Sequence, residues 1–341
     1  MADEGATLRG ESRVAQDSMA PAPAPALTDV ENRLGQSKLF DLGQIDVQWD
    51  QDLGTLWAFI TPLDRPNYNL GLLRIAIREG IPVLAYGIRT DFQTVAFPGS
   101  RRLLEIAHSL AATTDVFGTG DSDLKYMVLG SRFPGVFNLG GDLEMFARCI
   151  ENQDRETLLQ YSYLCVEIVE RVWHCNDMPV VNIALAQGDA LGGGFEAMMC
   201  FDVIIAERQA RFGLPEVLFG LFPGMGAYSI LSRKLGHAVA ERMLLSGKVY
   251  TAEEMYDMGL VTVLADPGCG EDVTREYIRA NSGRHAGHVG IYQAGRRVLP
   301  LDLDELRDIV DGWVDAAMKL TERDLKMMRR LAAAQTRLHQ R

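Results

Sequence analysis

The sequence predicts an α/β fold with buried strands and a helical C-terminal region. Three observations carry that prediction. Short apolar runs alternate with helical periodicities from Lys125 onward, glycine-rich turns stand between the two kinds of run, and the last third reads as all helix.

Taken in order, residues 1 to 37 mix charges with Pro21-Ala-Pro-Ala-Pro-Ala26 and hold few large apolar side chains. Such a stretch cannot bury enough surface to offset its ordering entropy, so a disordered leader is expected. Ile45, Val47 and Trp49 then alternate, Asp52-Leu-Gly54 supplies a turn, and Leu56-Trp-Ala-Phe-Ile60 completes a hairpin. Between 67 and 124 two helix-like stretches, Leu70 to Arg78 and Arg101 to Ala112, flank an apolar piece from Ile81 to Ile88. Tyr126 to Leu129 reads as a strand, Leu143 to Val172 as largely helical, Val180 to Leu185 as a strand, Gly193 to Cys200 as the start of a helix, and Val203 to Ala206 as a strand. Asp302 with Glu305 three positions on resembles a capping box. Leu306, Ile309, Val310, Trp313, Val314, Ala317 and Met318 follow it at helical spacing, and a second helix is expected to start at Thr321.

The 341 residues are 47% hydrophobic and 23% charged with a net charge of −12, a globular composition large enough for one big domain or two ordinary ones. The acidic balance argues against sequence-independent binding to a phosphate backbone. Seven basic residues against two acidic ones between Lys319 and Arg341 reverse the sign locally. The five cysteines (Cys149, Cys165, Cys175, Cys200, Cys269) include no Cys-x-x-Cys, which favours reduced, mostly buried thiols. The six histidines form no zinc-binding spacing, so no metal is expected. With no apolar stretch of about 18 residues and no secretory signal core, the expected location is the cytoplasm, with no nucleic acid and no membrane as partners.

No Gly-x-Ser-x-Gly elbow, no phosphate loop ending in Gly-Lys-Ser/Thr and no complete Gly-x-Gly-x-x-Gly is present. The chemistry-bearing features are two glycine-rich turns and two glutamates. Phe137-Asn-Leu-Gly-Gly-Asp-Leu143 and Gly188-Asp-Ala-Leu-Gly-Gly-Gly-Phe-Glu196 each lie between a strand and a helix, where backbone N–H groups lack intrahelical partners. Two such donors converging on one oxygen make an oxyanion hole; the plainer reading of Gly192 to Gly194 is tight helix-to-strand packing. Glu196 on the first helical turn and Glu216 in Phe212-Gly-Leu-Pro-Glu216 both follow strands and can meet at one sheet edge as an acid/base pair. Taken singly, each is as well explained by a helix-dipole charge or a surface carboxylate.

In combination these residues resemble the crotonase, or enoyl-CoA hydratase, superfamily. Its carriers are Phe137-Asn-Leu-Gly-Gly-Asp142, Ala190-Leu-Gly-Gly-Gly-Phe-Glu196, Phe212-Gly-Leu-Pro-Glu-Val-Leu218 and Leu221-Phe-Pro-Gly-Met-Gly-Ala227. Leu244-Leu-Ser-Gly-Lys-Val-Tyr-Thr-Ala-Glu253 and Met258-Gly-Leu-Val261 follow in the superfamily's order. The resemblance implies a crotonase-like fold of stacked ββα units, oxyanion donors at Gly141 and Gly193, and acid/base roles for Glu196 and Glu216, hence hydration or dehydration of an acyl thioester. Within the superfamily the chain is most similar to the diffusible signal factor synthases, through Val136-Phe-Asn-Leu-Gly-Gly-Asp-Leu143, Gly192-Gly-Gly-Phe-Glu-Ala197, Leu214-Pro-Glu-Val-Leu-Phe219, Leu221 to Ser229 and Trp313-Val-Asp-Ala-Ala-Met318.

That similarity implies dehydration of a medium-chain 3-hydroxyacyl group on acyl carrier protein to a cis-2-enoyl thioester, then thioester hydrolysis, giving a fatty acid quorum signal. Leu191, Met225 and Trp313 are the candidate acyl pocket, and no cofactor is expected beyond the carrier protein or coenzyme A that bears the substrate. The chain departs from these synthases in its leader and in a longer segment from about 63 to 124. The expected organisation is a leader over 1–37, a crotonase-like core over 38–266 with 63–124 as a candidate insertion, and a C-terminal helical trimerisation region over 267–341, in a homotrimer or hexamer. Two rival readings stand beside it: an enoyl-CoA hydratase on free coenzyme A thioesters, and an acyl-thioester-binding regulatory protein that contacts a sensor kinase.

Overall fold

Side-chain alternation in the first hairpin prepares both faces of a large sheet. The computed structural model describes residues 40–41, 45–61, 124–175 and 178–339. The expected leader, the two helices and apolar piece expected between Leu70 and Ala112, and all but Leu124 of the candidate insertion lie outside the described residues.

The described strands are β1 (Phe40–Asp41), β2 (Ile45–Asp50), β3 (Thr55–Ile60), β4 (Tyr126–Ser131), β5 (Val136–Asn138), β6 (Val181–Ala186), β7 (Asp189–Leu191), β8 (Val203–Glu207), β9 (Arg211–Gly213), β10 (Val249–Thr251) and β11 (Val263–Ala265). They form a seven-stranded sheet, β1-β2-β3-β4-β6-β8-β11, and a four-stranded one, β10-β9-β7-β5. The hairpin is antiparallel, with Ile45 opposite Ile60, and from β3 to β11 the large sheet is parallel. Its strands are buried on both faces. In β3, Leu56, Ala58 and Ile60 enter the main core and Trp57 and Phe59 a second one; in β6, Ala184 and Ala186 oppose Val181, Ile183 and Leu185. This two-sided burial explains why the runs read as continuously apolar rather than alternating.

The helices are α1 (Leu143–Glu151), α2 (Arg155–His174), α3 (Gly193–Met198), α4 (Ala227–Leu235), α5 (His237–Ser246), α6 (Ala252–Asp257), α7 (Gly270–Asn281), α8 (His285–Val298), α9 (Leu303–Ala317) and α10 (Glu322–His339), with a 3-10 turn at Pro215–Phe219. Helices α7 and α8 bring Ile278 and Val289 to the second core. Helix α9 folds back on α2, and α10 on α1 and the 3-10 turn of the same chain.

One expectation is refined and two need correction. The stretch from Leu143 to Val172 is largely helical as expected, in two pieces, because Gln153 takes a left-handed φ of 52° and Asp154 restarts the chain by accepting the Thr157 N–H at 3.1 Å. The last third contains β10 and β11, three-residue strands formed by pairing with β9 and β8, too short to show alternation. At α9 only half of the expected capping box forms: Asp302 accepts the Asp304 N–H, while Glu305 is drawn to Arg233 at 2.8 Å. The next helix begins as its sequence signals, with Asp324 accepting the N–H and hydroxyl of Thr321.

No helix among the described residues is long and apolar enough to cross a membrane. Among the same residues no group of three or more His, Cys, Asp or Glu side chains is placed to hold a metal ion.

Candidate active site

Each feature that singled itself out in the sequence is placed by the end of a strand in the small sheet. β5 and β7 run parallel, so the two glycine turns leave from the same edge. Gly192 ends β7 at φ 53° and ψ −133°, a conformation open essentially to glycine, and a Cβ there would stand 2.8 Å from Oε1 of Glu216. A Cβ on Gly194 would lie 2.2 Å from the main-chain oxygen of Asn138, so this third glycine serves the tight packing of the plainer reading. Gly193 stands between them at the first helical position, where its N–H has no intrahelical acceptor. A side chain on it would strike Sδ of Met225 at 2.5 Å and would come within 3.7 Å of the Gly141 nitrogen. The two turns therefore bring their N–H groups to one place.

The glutamates reach the same place from different elements. Helix α3 carries Glu196, only 2% exposed, whose Oε1 accepts N–H groups from Met225 at 2.8 Å and Ala227 at 3.0 Å. Burial pushes its carboxyl up and these donors pull it back, leaving it at about 7 against an ordinary 4.5. Glu216 sits on the 3-10 turn after Pro215, half-buried as a residue but with Oε2 sealed from solvent and without a hydrogen-bond partner among the described residues. Burial and then the charge of Glu196 raise it well above the usual carboxylate range.

Both carboxylates line one cavity of about 190 Å³ with Gly141, Gly193, Leu191, Met225 and Trp313. The geometry thus gathers all seven candidate residues. Its remaining wall was not anticipated: Phe146 meets Tyr161 and Trp313 edge-on, at centroid distances of 5.3 and 5.4 Å, and Cys165, Phe219 and Leu331 close the sides. Helical spacing from Tyr161 to Cys165 is a sign of burial that core helices share, so nothing in it distinguishes a cavity wall. Cys165, expected as one of several inert buried thiols, lines the cavity, and burial keeps its thiol protonated. Phe195, a marker of the subgroup resemblance, is fully buried against Phe212 at 5.6 Å and does not belong to the cavity wall.

Residues 107–280 match the family model described as enoyl-CoA hydratase/isomerase. The chain is 37% identical over 118 residues to 2,3-dehydroadipyl-CoA hydratase of Escherichia coli (strain K12), which covers 34% of this chain and 45% of that protein. It is 32% identical over 167 residues to crotonyl-CoA hydratase of Syntrophomonas wolfei subsp. wolfei, covering 48% of this chain and 59% of the relative. The matches span about half the length of these curated relatives. An enoyl-CoA hydratase/isomerase from Xanthobacter autotrophicus Py2 superposes with a TM-score of 0.61 at 17% identity, over 87% of this chain and 98% of its own. An enoyl-CoA hydratase from Bacillus halodurans gives 0.60 at 20% identity, over 85% and 100%. At these identities the likeness concerns the fold, which is the crotonase-like α/β arrangement with a helical C-terminal region.

Proposed function

Because the chain belongs to the enoyl-CoA hydratase/isomerase family, we propose that it adds or removes water across the C2–C3 bond of an acyl thioester. One observation carries the reading: two carboxylates in one apolar cavity are held differently, Glu196 by two N–H donors and Glu216 at Oε2 by none among the described residues. The pair can share one proton at neutral pH. In hydration, the Glu196 carboxylate takes a proton from water as it attacks C3, and Glu216 gives its proton to C2. Dehydration runs the same path backwards, with the proton on Glu196 and the charge on Glu216. The N–H groups of Gly141 and Gly193 receive the enolate oxygen between the two steps, each worth about 3 kcal/mol in the transition state.

The finer proposal is that the substrate is a medium-chain 3-hydroxyacyl group on acyl carrier protein, dehydrated to the cis-2-enoyl thioester and then released by water attack on the thioester carbonyl, with the carrier thiol leaving. The apolar lining supports an acyl chain: the cavity of about 190 Å³ is somewhat larger than the roughly 150 Å³ that accommodates benzene, room for the reacting carbons and the first part of a chain. Exposed Arg323, Lys326 and Arg330 on α10, the helix that sends Leu331 into the cavity, support an acidic carrier. A second reading, reversible hydration of free enoyl-CoA, is favoured by the names of the two curated relatives.

Mass spectrometry of the products from 3-hydroxydodecanoyl carrier protein and, separately, from crotonyl-CoA tests both. Release of free cis-2-enoic acid is expected from the first. Formation of 3-hydroxybutyryl-CoA alone, from the second, would replace the finer proposal by the second reading.

A further inference from the structure

Asn138 is the last residue of β5, fully buried, and pairs with Ala190 of β7 just where the register between these strands shifts. Its Oδ1 accepts the N–H of Gly140 at 2.7 Å. Only the carbonyl end of the amide can accept that proton, so the same bond turns Nδ2 into the interior, where it has no partner among the described residues. An unpaired buried donor costs stability, a burden that an apolar residue of the same size would not carry. The amide also touches the second glycine turn. A Cβ on Gly194 would stand 2.8 Å from Oδ1 of Asn138, as well as 2.2 Å from its main-chain oxygen. One side chain thus ties down the residue before Gly141 and abuts the residue after Gly193.

A second clamp lies on the far side of Gly141. The buried Tyr161 oxygen is hydrogen-bonded to the backbone of Asp142, and the Phe146 ring fills the space where a Gly141 side chain would be, with Cζ at 2.4 Å from that point. The turn is therefore fixed at 140, 141 and 142, and Asn138 alone among these contacts also reaches the other turn.

We propose that Asn138 is a positioning residue: its side-chain carbonyl sets the spacing between the Gly141 and Gly193 backbone donors, and the unpaired Nδ2 is the cost of that placement. The inference rests on the oxyanion reading above. Displacing one donor by a fraction of an ångström should weaken transition-state stabilisation more than ground-state binding.

The test compares wild type with Asn138→Leu, which keeps the size and loses the acceptor, and Asn138→Asp, which keeps the acceptor. Crotonyl-CoA hydration gives kcat and KM, and Raman spectroscopy of the bound thioester reports the polarisation of its carbonyl. For Asn138→Leu, kcat is expected to fall about 10²-fold with KM changed less than about twofold, and the carbonyl band to return toward its solution frequency. Asn138→Asp is expected to restore most of both. If the leucine variant does not fold, Asn138→Ala takes its place in the same comparison. A wild-type carbonyl band in Asn138→Leu, or an equal loss in Asn138→Asp, would overturn the proposal alone. A wild-type protein that binds the thioester without shifting the band would overturn the oxyanion reading, and this inference with it.

Discussion

Glu196 and Glu216 share a cavity but are held by opposite means: Oε1 of Glu196 accepts two backbone N–H groups, and Oε2 of Glu216 is buried with no donor among the described residues. Glycine at 192 lets the second approach, since a Cβ there would stand 2.8 Å from Oε1 of Glu216. Substituting either glutamate by glutamine should lower hydration turnover by about 10²- to 10⁴-fold, and the double variant should lose little beyond the worse single one. Steady-state kinetics on crotonyl-CoA checks this. Full activity in either single variant would exclude that residue from the chemistry.

The raised carboxyl of Glu196 makes stability depend on pH in a fixed direction. The folded chain holds this proton to about pH 7 and the unfolded chain releases it near 4.5, so the stabilisation is complete below 4.5, declines between 4.5 and about 7, and is gone above. Glu196→Gln should therefore gain on wild type across that window, by a difference on the order of 3 kcal/mol. Urea unfolding at the two ends of the window measures it. A gap between variant and wild type that stayed constant would show that Glu196 titrates alike in both states.

Activity should follow the same pair. Hydration requires Glu196 ionised and Glu216 protonated, so kcat/KM is expected to rise with pH through a limb near 7 and to fall at higher pH as Glu216 ionises. A flat profile through the neutral range would contradict this assignment of the two states.

Trp313 is both packing and cavity wall. Its ring is 6% exposed, meets Phe146 and lies so close to Gly224 that a Cβ there would be 2.6 Å from Cγ. Trp313→Ala should cost about 3–5 kcal/mol of stability. It should also move kcat/KM toward longer acyl chains, read by comparing thioesters of increasing length. Unchanged length preference would place the ring in the core alone.

Away from the site, Arg296 of α8 pairs with Asp202, which in turn accepts the Asn182 N–H at 3.2 Å. The pair is nearly enclosed, with side-chain exposures of 10% and 7%. Arg296→Met leaves the buried Asp202 without its ion-pair partner, with only the Asn182 N–H and the charge of Lys234 to offset it, and should destabilise the fold by up to about 3–5 kcal/mol, whereas changing both partners to apolar residues should restore part of the loss. Thermal unfolding of the three variants checks the sign.

Legibility in the sequence followed the range of each physical signal. Strands such as Val181–Ala186 declared themselves because burial on both faces demands a run of apolar residues, and Asp324 with Thr321 announced a helix start through contacts three residues long. Glu196 and Glu216 were visible through the ordered set of motifs around them, a glycine turn directly before the first and Phe212-Gly-Leu-Pro before the second. Glu305 misled because its partner, Arg233, lies 72 residues away, beyond any local pattern. Tyr161, Cys165 and Leu331 stayed hidden because a cavity wall and a core obey the same apolar periodicity.

Leu331 joins a cavity whose carboxylates stand at 196 and 216, and Trp313 joins it from the helix before. Both wall residues lie more than ninety positions beyond Glu216 in the chain, so the wall comes from a part of the sequence remote from the carboxylates it encloses. The acid/base pair is thus complete before its enclosure in chain order, and a variant cut before α10 would be expected to display both carboxylates in a cavity that lacks the Leu331 side of its wall.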